Sequence, residues 1–354
     1  MRVFSADQLT EIAIRLFLAA GVNKDIAAEV VQSLVLSNLL GIDSHGVVRI
    51  RNYFDSIKLG AIVPDAEPAV VQDYGSAVVI DGRKSFGQIV AKKAMKLAML
   101  KARERGIGAA VFTNVYHIGR LGEYVSLAAD EGLIALMMAN GSRPGGLVAP
   151  FGARQRKLGT NPIAFAIPAG TQPQLLADFS TSAVAEGRVR VAMRKSEKVP
   201  SGWLIDKEGK PTNDPADLYS GGAILTFGDY KGYALSLLVE VVGGILSGAE
   251  TPIFPQYEYM HNGVFVLAIE PTLFRPKSEY QSSVDFLFAG MKQALPAEGM
   301  SGALIPGEPE SRRKAIREKE GIPIDDQTWT ELVELAATLQ VSITDEPCSV
   351  GGDS

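Results

Sequence analysis

The stretch SAVVIDGRKSFGQIVAKKAMKLAMLKARERGIGAAVFT, residues 76–113, decides the fold class of this chain. It contains a short apolar run at 78–81, a lysine-rich segment with helical spacing at 87–105, and a second apolar run at 109–113. Two short strands joined by a long helix are typical of proteins that combine a sheet with covering helices. The stretch therefore predicts an α/β fold.

Regular elements are predicted on both sides of this stretch. Further strands are expected at 134–139, 163–167, 175–178 and 264–269. Residues 230–247 read as a long helix that is hydrophobic on both faces, which predicts a buried helix. Two helices are predicted within residues 1–40, and two more at 310–320 and 328–339. We expect these terminal helices to pack together.

Composition excludes several classes of protein. With 354 residues, of which 46% are hydrophobic, the chain can bury a large core. Its 35 basic and 40 acidic side chains give a net charge of -5, which argues against binding to nucleic acid or to a membrane. The most apolar segment, residues 234–246, is too short and too polar to span a bilayer. No signal peptide is predicted and the single cysteine, Cys348, cannot form an internal disulfide, so we expect a cytoplasmic protein.

Motifs of common nucleotide sites and nucleophiles are missing from the sequence. No G-x-G-x-x-G motif links a strand to a helix, so a Rossmann dinucleotide site is not predicted. The chain also lacks a P-loop and a G-x-S-x-G nucleophile elbow. Its three histidines, His45, His117 and His261, do not have the spacing of zinc ligands, so no metal site is expected.

One polar segment, Asp43-Ser44-His45-Gly46-Val47-Val48-Arg49, follows the second predicted helix. Arg49 lies four residues after His45, so the two side chains share a face if a helix begins at the histidine. Such a pair suits an acid that protonates a substrate oxygen or nitrogen beside a guanidinium that binds a carboxylate. The alternative is a turn between helices whose histidine is merely hydrogen-bonded, and the segment taken alone favours that alternative.

Further polar segments interrupt the apolar runs. Tyr116-His117-Ile118-Gly119-Arg120 follows a predicted strand and precedes a helix, whose N-terminal N–H groups attract anions. Lys231 enters an apolar helix and needs a partner, such as a cofactor phosphate or carboxylate, unless it extends to solvent. The others are Gly159-Thr160-Asn161-Pro162, Asp178-Phe179-Ser180-Thr181-Ser182 and Pro306-Gly307-Glu308-Pro309-Glu310. Each of them could also be an ordinary turn or cap.

In this order and spacing, the segments resemble the malate/L-lactate dehydrogenase family, whose members lack a Rossmann fold. The family also includes sulfolactate, ureidoglycolate and diketogulonate oxidoreductases and the piperideine/pyrroline-2-carboxylate reductases. The resemblance runs from Ser5 to about Glu310 and is most specific in Ser44-His45-Gly46-Val47-Val48-Arg49, Gly159-Thr160-Asn161-Pro162-Ile163-Ala164-Phe165 and Tyr230-Lys231-Gly232-Tyr233. It implies an α/β fold with a non-Rossmann, mixed-sheet cofactor domain like that of L-sulfolactate dehydrogenase, and helical elements at both ends.

The resemblance also implies roles for individual residues. His45 is expected to donate or accept a proton, with Ser44 in its relay, while Arg49 and His117 bind the substrate. The cofactor, NAD or NADP, is expected to meet a larger set of residues, namely His117, Gly119, Arg120, Leu121, Thr160, Asp178, Phe179, Ser180, Lys231, Gly307 and Glu308. The family works as a homodimer with the active site near the subunit interface, and it needs no metal.

Four regions are expected from these patterns and the resemblance. Residues 1–75 form the N-terminal helical part of a substrate and dimerisation domain, and residues 76–305 form a mixed α/β core containing the cofactor-binding domain. Residues 306–345 form C-terminal helices that pack back on the first part, and residues 346–354 form a flexible tail.

The predicted function is an NAD(P)-dependent dehydrogenase that transfers hydride between nicotinamide and a small 2-oxo or 2-hydroxy acid. The alternatives are a reductase of cyclic 2-imino acids, in which the same His–Arg pair serves, and a catalytically silent ligand-binding relative. Three features depart from the family: the glycine-rich loop at 141–146, the valine that follows Gly263, and Glu186 with Arg188 and Arg190. Arg188 and Arg190 could meet a 2′-phosphate, but we interpret them as a solvated strand surface. We interpret His261 as a surface-loop residue and the charged run at 312–319 as a solvated helix face.

Overall fold

The computed structural model describes residues 1–141, 145–253 and 261–343. The predicted tail at 346–354, with Cys348, and residues 142–144 of the glycine-rich loop lie outside the described residues. Twelve strands occur in the described part of the chain: β1 (Arg2–Phe4), β2 (Ala69–Asp73), β3 (Ala77–Asp81), β4 (Ile107–Val115), β5 (Ile134–Ala139), β6 (Pro162–Ile167), β7 (Leu175–Ser180), β8 (Leu204–Ile205), β9 (Pro211–Thr212), β10 (Ala223–Ile224), β11 (Asn262–Ile269) and β12 (Ile322–Ile324).

Eleven α-helices accompany these strands within the same described residues. They are α1 (Ala6–Ala19), α2 (Lys24–Leu39), α3 (Ile50–Lys58), α4 (Gly87–Arg105), α5 (Leu121–Asp130), α6 (Glu186–Arg194), α7 (Pro215–Tyr219), α8 (Tyr230–Val239), α9 (Lys277–Lys292), α10 (Glu308–Glu320) and α11 (Asp326–Thr338). The first helix begins where the sequence predicts, because Ser5 and Gln8 form a capping box in which each side chain accepts from the other residue's N–H. None of the described helices is long and apolar enough to cross a membrane.

The central sheet has seven strands in the order β2-β3-β4-β11-β5-β6-β7. Only β3 and β4, which the long helix α4 connects in the chain, pair in parallel. Every other neighbouring pair in this sheet is antiparallel. The mixed sheet predicted for this chain is thereby confirmed. Helices α4 and α5 cover it and bury Val90, Met95, Tyr124 and Val125 against its strands.

A second core joins the two ends of the chain. Strand β1 pairs antiparallel with β12, and the rings of Phe4 and Trp329 lie 4.8 Å apart. Leu9 and Leu34 of the first two helices are buried in the same cluster as Leu332 of α11. The expected packing between the terminal helices is therefore present, although the four-region division stays a prediction.

Helix α8 corrects one prediction. It continues through a π-helical turn, Glu240–Gly244, and a 3-10 turn, Ile245–Ser247, so the helical segment ends where the sequence predicts. Its predicted burial is wrong, because only one of its two hydrophobic faces packs on this chain. The other face is exposed and comprises Tyr230, Leu237, Leu238, Val241, Ile245 and Leu246.

Candidate active site

A cavity of about 570 Å³ lies where the polar segments of the sequence meet. Its lining comes from the turn before α3, the connection between β4 and α5, the ends of β5 and β6, and the first turn of α6. The lining residues are Ser44, His45, Arg49, Asn52, Tyr116, His117, Ile118, Gly119, Leu121, Ala139, Gly141, Leu147, Thr160, Pro162, Ala185, Glu186, Gly187, Arg190 and Asn262.

His45 and Arg49 are held by two consecutive 3-10 turns, Asp43–His45 and Val47–Arg49. Between the turns, Gly46 lies against the Asn38 side chain, and a Cβ atom at this glycine would be 2.2 Å from Asn38 Oδ1. That oxygen accepts the N–H of Val47 at 2.8 Å. A larger residue would displace this bond, so glycine is required here for close approach rather than for its dihedral freedom.

The two predicted catalytic residues are in hydrogen-bonding contact. Ser44 Oγ lies 3.0 Å from His45 Nδ1. Arg49 Nε donates to the carbonyl oxygen of Ser44 at 2.7 Å, which fixes the stem of the arginine beside the histidine. The terminal nitrogens of Arg49 have no hydrogen-bond partner among the residues that the structure describes. This confirms the predicted proximity of His45 and Arg49, which share one wall of the cavity.

A second histidine faces the first. The rings of His45 and His117 stack, with centroids 5.4 Å apart and planes 26° from parallel. His117 Nδ1 lies 2.9 Å from the hydroxyl of Tyr53, which accepts a hydrogen bond from Gln88 Nε2 at 2.6 Å. The Tyr53 hydroxyl therefore joins the Gln88 amide to the His117 ring and fixes the orientation of that ring.

Both histidines are neutral at physiological pH. Burial, together with the charges of Arg49 and Arg120, lowers the pKa of His45 from 6.5 to about 3. Burial, Arg49 and His45 hold the pKa of His117 well below 6.5. Burial also lowers the pKa of Arg49. The cavity thus presents two neutral histidines, of which His45 lies beside the Arg49 guanidinium.

The interpretation of Arg188 and Arg190 as a strand surface is wrong, because both residues lie on helix α6. Arg188 is exposed. Arg190 lines the cavity and forms an ion pair with Glu186, one helical turn earlier, with Nη2 2.8 Å from Oε2. The spacing of four residues between an acidic and a basic side chain is the signal that could have identified this helix and this pair.

The predicted cofactor residues fall into three groups. His117, Gly119, Leu121 and Thr160 line the cavity. Arg120 and Asp178 lie directly behind it, with Arg120 Nη1 4.0 Å from Asp178 Oδ2 and the Gly122 N–H donating to the same carboxylate oxygen at 2.7 Å. The remaining five do not line the cavity: Phe179 and Ser180 on β7, exposed Lys231 at the start of α8, and Gly307 and Glu308 beside β7.

A buried polar network that the sequence analysis missed supports the strand ends at the cavity. The Glu240 carboxylate, in the π-helical turn after α8, accepts from Asn161 Nδ2 at 2.9 Å and from Asn140 Nδ2 at 3.3 Å. Asn161 Oδ1 in turn accepts the N–H of Gly141 at 3.1 Å. Burial raises the pKa of Glu240. A π-helical turn often marks a functional region, and here it places a carboxylate behind Gly141 and Thr160.

The described residues contain no cluster of metal ligands, since no group of three or more histidine, cysteine, aspartate or glutamate side chains converges.

Two residues that were expected at the surface differ from that prediction or lie away from the cavity. His261, expected in a surface loop, is partly buried directly before β11 and is not among the cavity residues. Arg317, expected on a solvated helix face, instead pairs with Asp43 beside the catalytic turn, with Nη1 2.6 Å from Oδ1. Its side chain is 11% exposed, so that part of the prediction is wrong.

Comparison with known proteins identifies the family of this chain. The sequence model of the malate/L-lactate dehydrogenase family matches residues 4–333. The chain is 38% identical to L-sulfolactate dehydrogenase of Methanocaldococcus jannaschii over 92% of this chain and 94% of that protein. It is 36% identical to malate dehydrogenase of Pyrococcus abyssi over 95% of this chain and 94% of that protein.

Solved structures agree with these sequence comparisons. The sulfolactate dehydrogenase structure from M. jannaschii matches with a TM-score of 0.87 and 36% identity, covering 96% of this chain and 98% of that one. The Δ1-piperideine-2-carboxylate reductase structure from Pseudomonas syringae matches with a TM-score of 0.82 and 29% identity, covering 95% of this chain and 100% of that one. The chain belongs to the malate/L-lactate dehydrogenase family and is an oxidoreductase that acts on hydroxy or oxo acids.

Proposed function

We propose that this chain transfers hydride between NAD or NADP and a small 2-oxo or 2-hydroxy acid in the cavity between His45 and Arg49. The observation that carries the proposal is the histidine beside a guanidinium that donates only its Nε to the protein. Its two terminal nitrogens can bind a carboxylate in a bidentate pair. A substrate held in this way would present its 2-carbon oxygen to His45.

His45 would hold the proton that the substrate oxygen gains or loses. Because Nδ1 is engaged with Ser44, Nε2 is the nitrogen left for the substrate. Before the substrate binds, the neutral ring is the base that oxidation of a hydroxy acid requires. A carboxylate on Arg49 cancels one of the charges that lower the pKa of His45, and so favours the protonated ring that reduction requires.

The residues around the cavity fit a nicotinamide cofactor. Leu121, Leu147 and Pro162 provide an apolar wall for the ring. Behind them, the buried Arg120 has an Nε with no hydrogen-bond partner among the described residues, and a phosphate would supply one. When bound, the nicotinamide supplies or accepts a hydride at the substrate's 2-carbon. Five predicted cofactor residues lie outside the cavity, and we assign them to the remainder of the dinucleotide: Phe179, Ser180, Lys231, Gly307 and Glu308.

The other candidate activity is reduction of a cyclic 2-imino acid. It is favoured by the similarity to the piperideine-2-carboxylate reductase structure and by the fact that only the protonated atom changes, from oxygen to nitrogen. A catalytically silent relative is disfavoured by the preserved contact between Ser44 and His45, which packing alone does not need.

A homodimer and a cytoplasmic location complete the proposal. The exposed apolar face of α8 offers a surface on which a second copy of this chain can pack, since contiguous exposed apolar patches are uncommon on monomers. The cytoplasmic location rests on the low cysteine content, which is usual for proteins of reducing compartments.

The first experiment measures loss of nicotinamide absorbance with NADH and, separately, with NADPH. The substrates are pyruvate, oxaloacetate, sulfopyruvate, diketogulonate and the cyclic imines of lysine and ornithine. Turnover of an oxo acid is expected, and His45→Ala should lower kcat by at least about 100-fold while cofactor binding is unchanged. Unchanged turnover in His45→Ala would remove His45 from the mechanism, and failure of both cofactors to bind would refute hydride transfer.

A further inference from the structure

The first two turns of helix α6 bring a carboxylate and a second arginine into the cavity. Glu186 and Arg190 both line it, together with Arg49. The Glu186 carboxylate accepts Arg190 Nε at 3.2 Å and Nη2 at 2.9 Å on Oε1, and the Tyr219 hydroxyl donates to the same oxygen at 2.9 Å. The Glu186 side chain is 12% exposed and that of Arg190 is 40% exposed, so the carboxylate is the more buried partner of the pair.

The pair uses most, but not all, of the arginine's hydrogen-bonding capacity. Arg190 donates to Glu186 through Nε and Nη2, and its Nη1 makes no hydrogen bond to that carboxylate. Because Arg190 lines the cavity, Nη1 is the nitrogen left for a substrate. The two side chains also act on Arg49 in opposite directions, since the guanidinium lowers and the carboxylate raises the pKa of Arg49. The Glu186 carboxylate therefore offsets part of the effect that the charge of Arg190 has at Arg49.

A count of charges follows from these contacts. Arg49 and Arg190 contribute two positive charges to the cavity wall, Glu186 contributes one negative charge, and the two histidines are neutral. Before the substrate binds, one net positive charge remains, and it is that of Arg49, which binds a single carboxylate. The proton that His45 holds for reduction goes to the oxo oxygen and adds no charge at the far end of the substrate. A second anionic group on the substrate would approach the Glu186 carboxylate, and juxtaposed like charges in a partly buried site disfavour binding.

We propose that the Glu186–Arg190 pair selects monoanionic 2-oxo acids that carry a neutral hydrogen-bond acceptor, and that Glu186 rejects dianionic ones. Arg49 binds the carboxylate next to the oxo group, and Arg190 Nη1 donates to the neutral acceptor at the other end of the substrate. The selection rests on the hydride transfer proposed above. It sets this chain apart from the malate and sulfolactate dehydrogenases that it resembles, whose named substrates carry two acidic groups.

The test compares kcat/KM for hydroxypyruvate, a monoanion with a neutral hydroxyl, with kcat/KM for oxaloacetate, a dianion. The wild-type enzyme should prefer hydroxypyruvate. Glu186→Gln leaves the charge of Arg190 uncompensated and should raise the ratio of oxaloacetate to hydroxypyruvate activity by at least about tenfold. Arg190→Gln leaves the carboxylate unpaired and should lower the same ratio, so the two variants move the specificity in opposite directions.

Glu197→Gln is the matched control, because it removes an exposed carboxylate just beyond α6 that does not line the cavity. Its ratio should equal that of the wild-type enzyme. A wild-type preference for oxaloacetate, or a ratio that neither Glu186→Gln nor Arg190→Gln changes, would overturn the selection while leaving hydride transfer intact. If neither acid nor any other 2-oxo acid is reduced, hydride transfer itself is refuted and the selection falls with it.

Discussion

Arg317 of the C-terminal helix α10 binds Asp43 of the catalytic turn through both terminal nitrogens, with Nη1 2.6 Å from Oδ1 and Nη2 3.0 Å from Oδ2. Nη1 also donates to the backbone carbonyl of Asn38. Asp43 is two residues before His45, and its Oδ1 also accepts from the Asn38 side chain at 2.7 Å. Helix α10 therefore helps to fix the position of His45, although none of its residues lines the cavity.

We expect Arg317→Gln to lower kcat by roughly tenfold, because a small displacement of a catalytic group is costly. The loss of a charge-assisted bidentate contact should also reduce the free energy of unfolding by about 1–3 kcal/mol. Steady-state kinetics and urea unfolding measure the two effects. Lys314→Gln is the control, since Lys314 forms an exposed pair with Glu318 on the same helix. Wild-type kcat in Arg317→Gln would show that α10 does not position the turn.

A second prediction concerns the hydroxyl between Gln88 and His117. In Tyr53→Phe, His117 Nδ1 loses its partner at 2.9 Å and Gln88 loses its acceptor, so the orientation of the His117 ring is no longer fixed. We expect kcat to fall by about tenfold with a smaller change in cofactor KM. Tyr74→Phe, which removes an exposed hydroxyl bound to Gln72, should leave both constants unchanged. Equal kinetics in the two variants would contradict a role for Tyr53 in orienting His117.

The sequence predicts those parts of the site whose residues lie close together in the chain. His45 and Arg49 lie within one short segment, and their spacing and the resemblance together predict that they meet. Helices α1 and α4 follow in the same way from a capping box and from helical periodicity. In each case the information lies within a few residues of the element that it describes.

The supporting contacts could not be predicted, because they join residues that are far apart in the chain. Arg317 and Asp43 are 274 residues apart, and Asn140 and Glu240 are 100 residues apart. A charged side chain on a predicted helix does not reveal whether it meets solvent or another element. The exposed face of α8 illustrates the same limit, since a helix that is apolar on all sides reads as buried whether its cover comes from its own chain or from a second copy.

The neutral state of the two histidines predicts how stability depends on pH. Burial lowers the pKa of His45 to about 3 from 6.5, and lowers that of His117 as well. Because the unfolded chain takes up protons near pH 6.5 while the folded chain does not, their stabilising contribution is complete above this pH. It is lost as pH falls from about 6.5 toward the folded-state pKa, with a slope of up to about 1.4 kcal/mol per pH unit for each histidine.

Urea unfolding of the wild-type protein and of His45→Asn between pH 5 and 7 measures this effect. The difference between the two isolates the histidine from buried carboxyl groups such as Glu240, whose raised pKa acts in the opposite direction. The variant should gain stability relative to wild type by about 1 kcal/mol for each unit of pH decrease below 6.5. If the free energy of unfolding changes with pH equally in the wild-type protein and in His45→Asn, the folded protein accepts a proton on His45 as readily as the unfolded chain.

The exposed face of α8 predicts the oligomeric state. Val241 is 52% exposed in the single chain and lies between Leu238 and Ile245 on the apolar face of the helical segment. If a second copy covers this face, a carboxylate at position 241 is buried without a partner and association is lost. Light scattering should give twice 37.8 kDa for the wild-type protein and 37.8 kDa for Val241→Glu. Val71→Glu, which changes a valine of similar exposure (54%) on edge strand β2, should remain dimeric. A wild-type monomer, or a Val241→Glu dimer of unchanged affinity, would exclude this face as the interface, and the apolar side chains of α8 would then need another explanation.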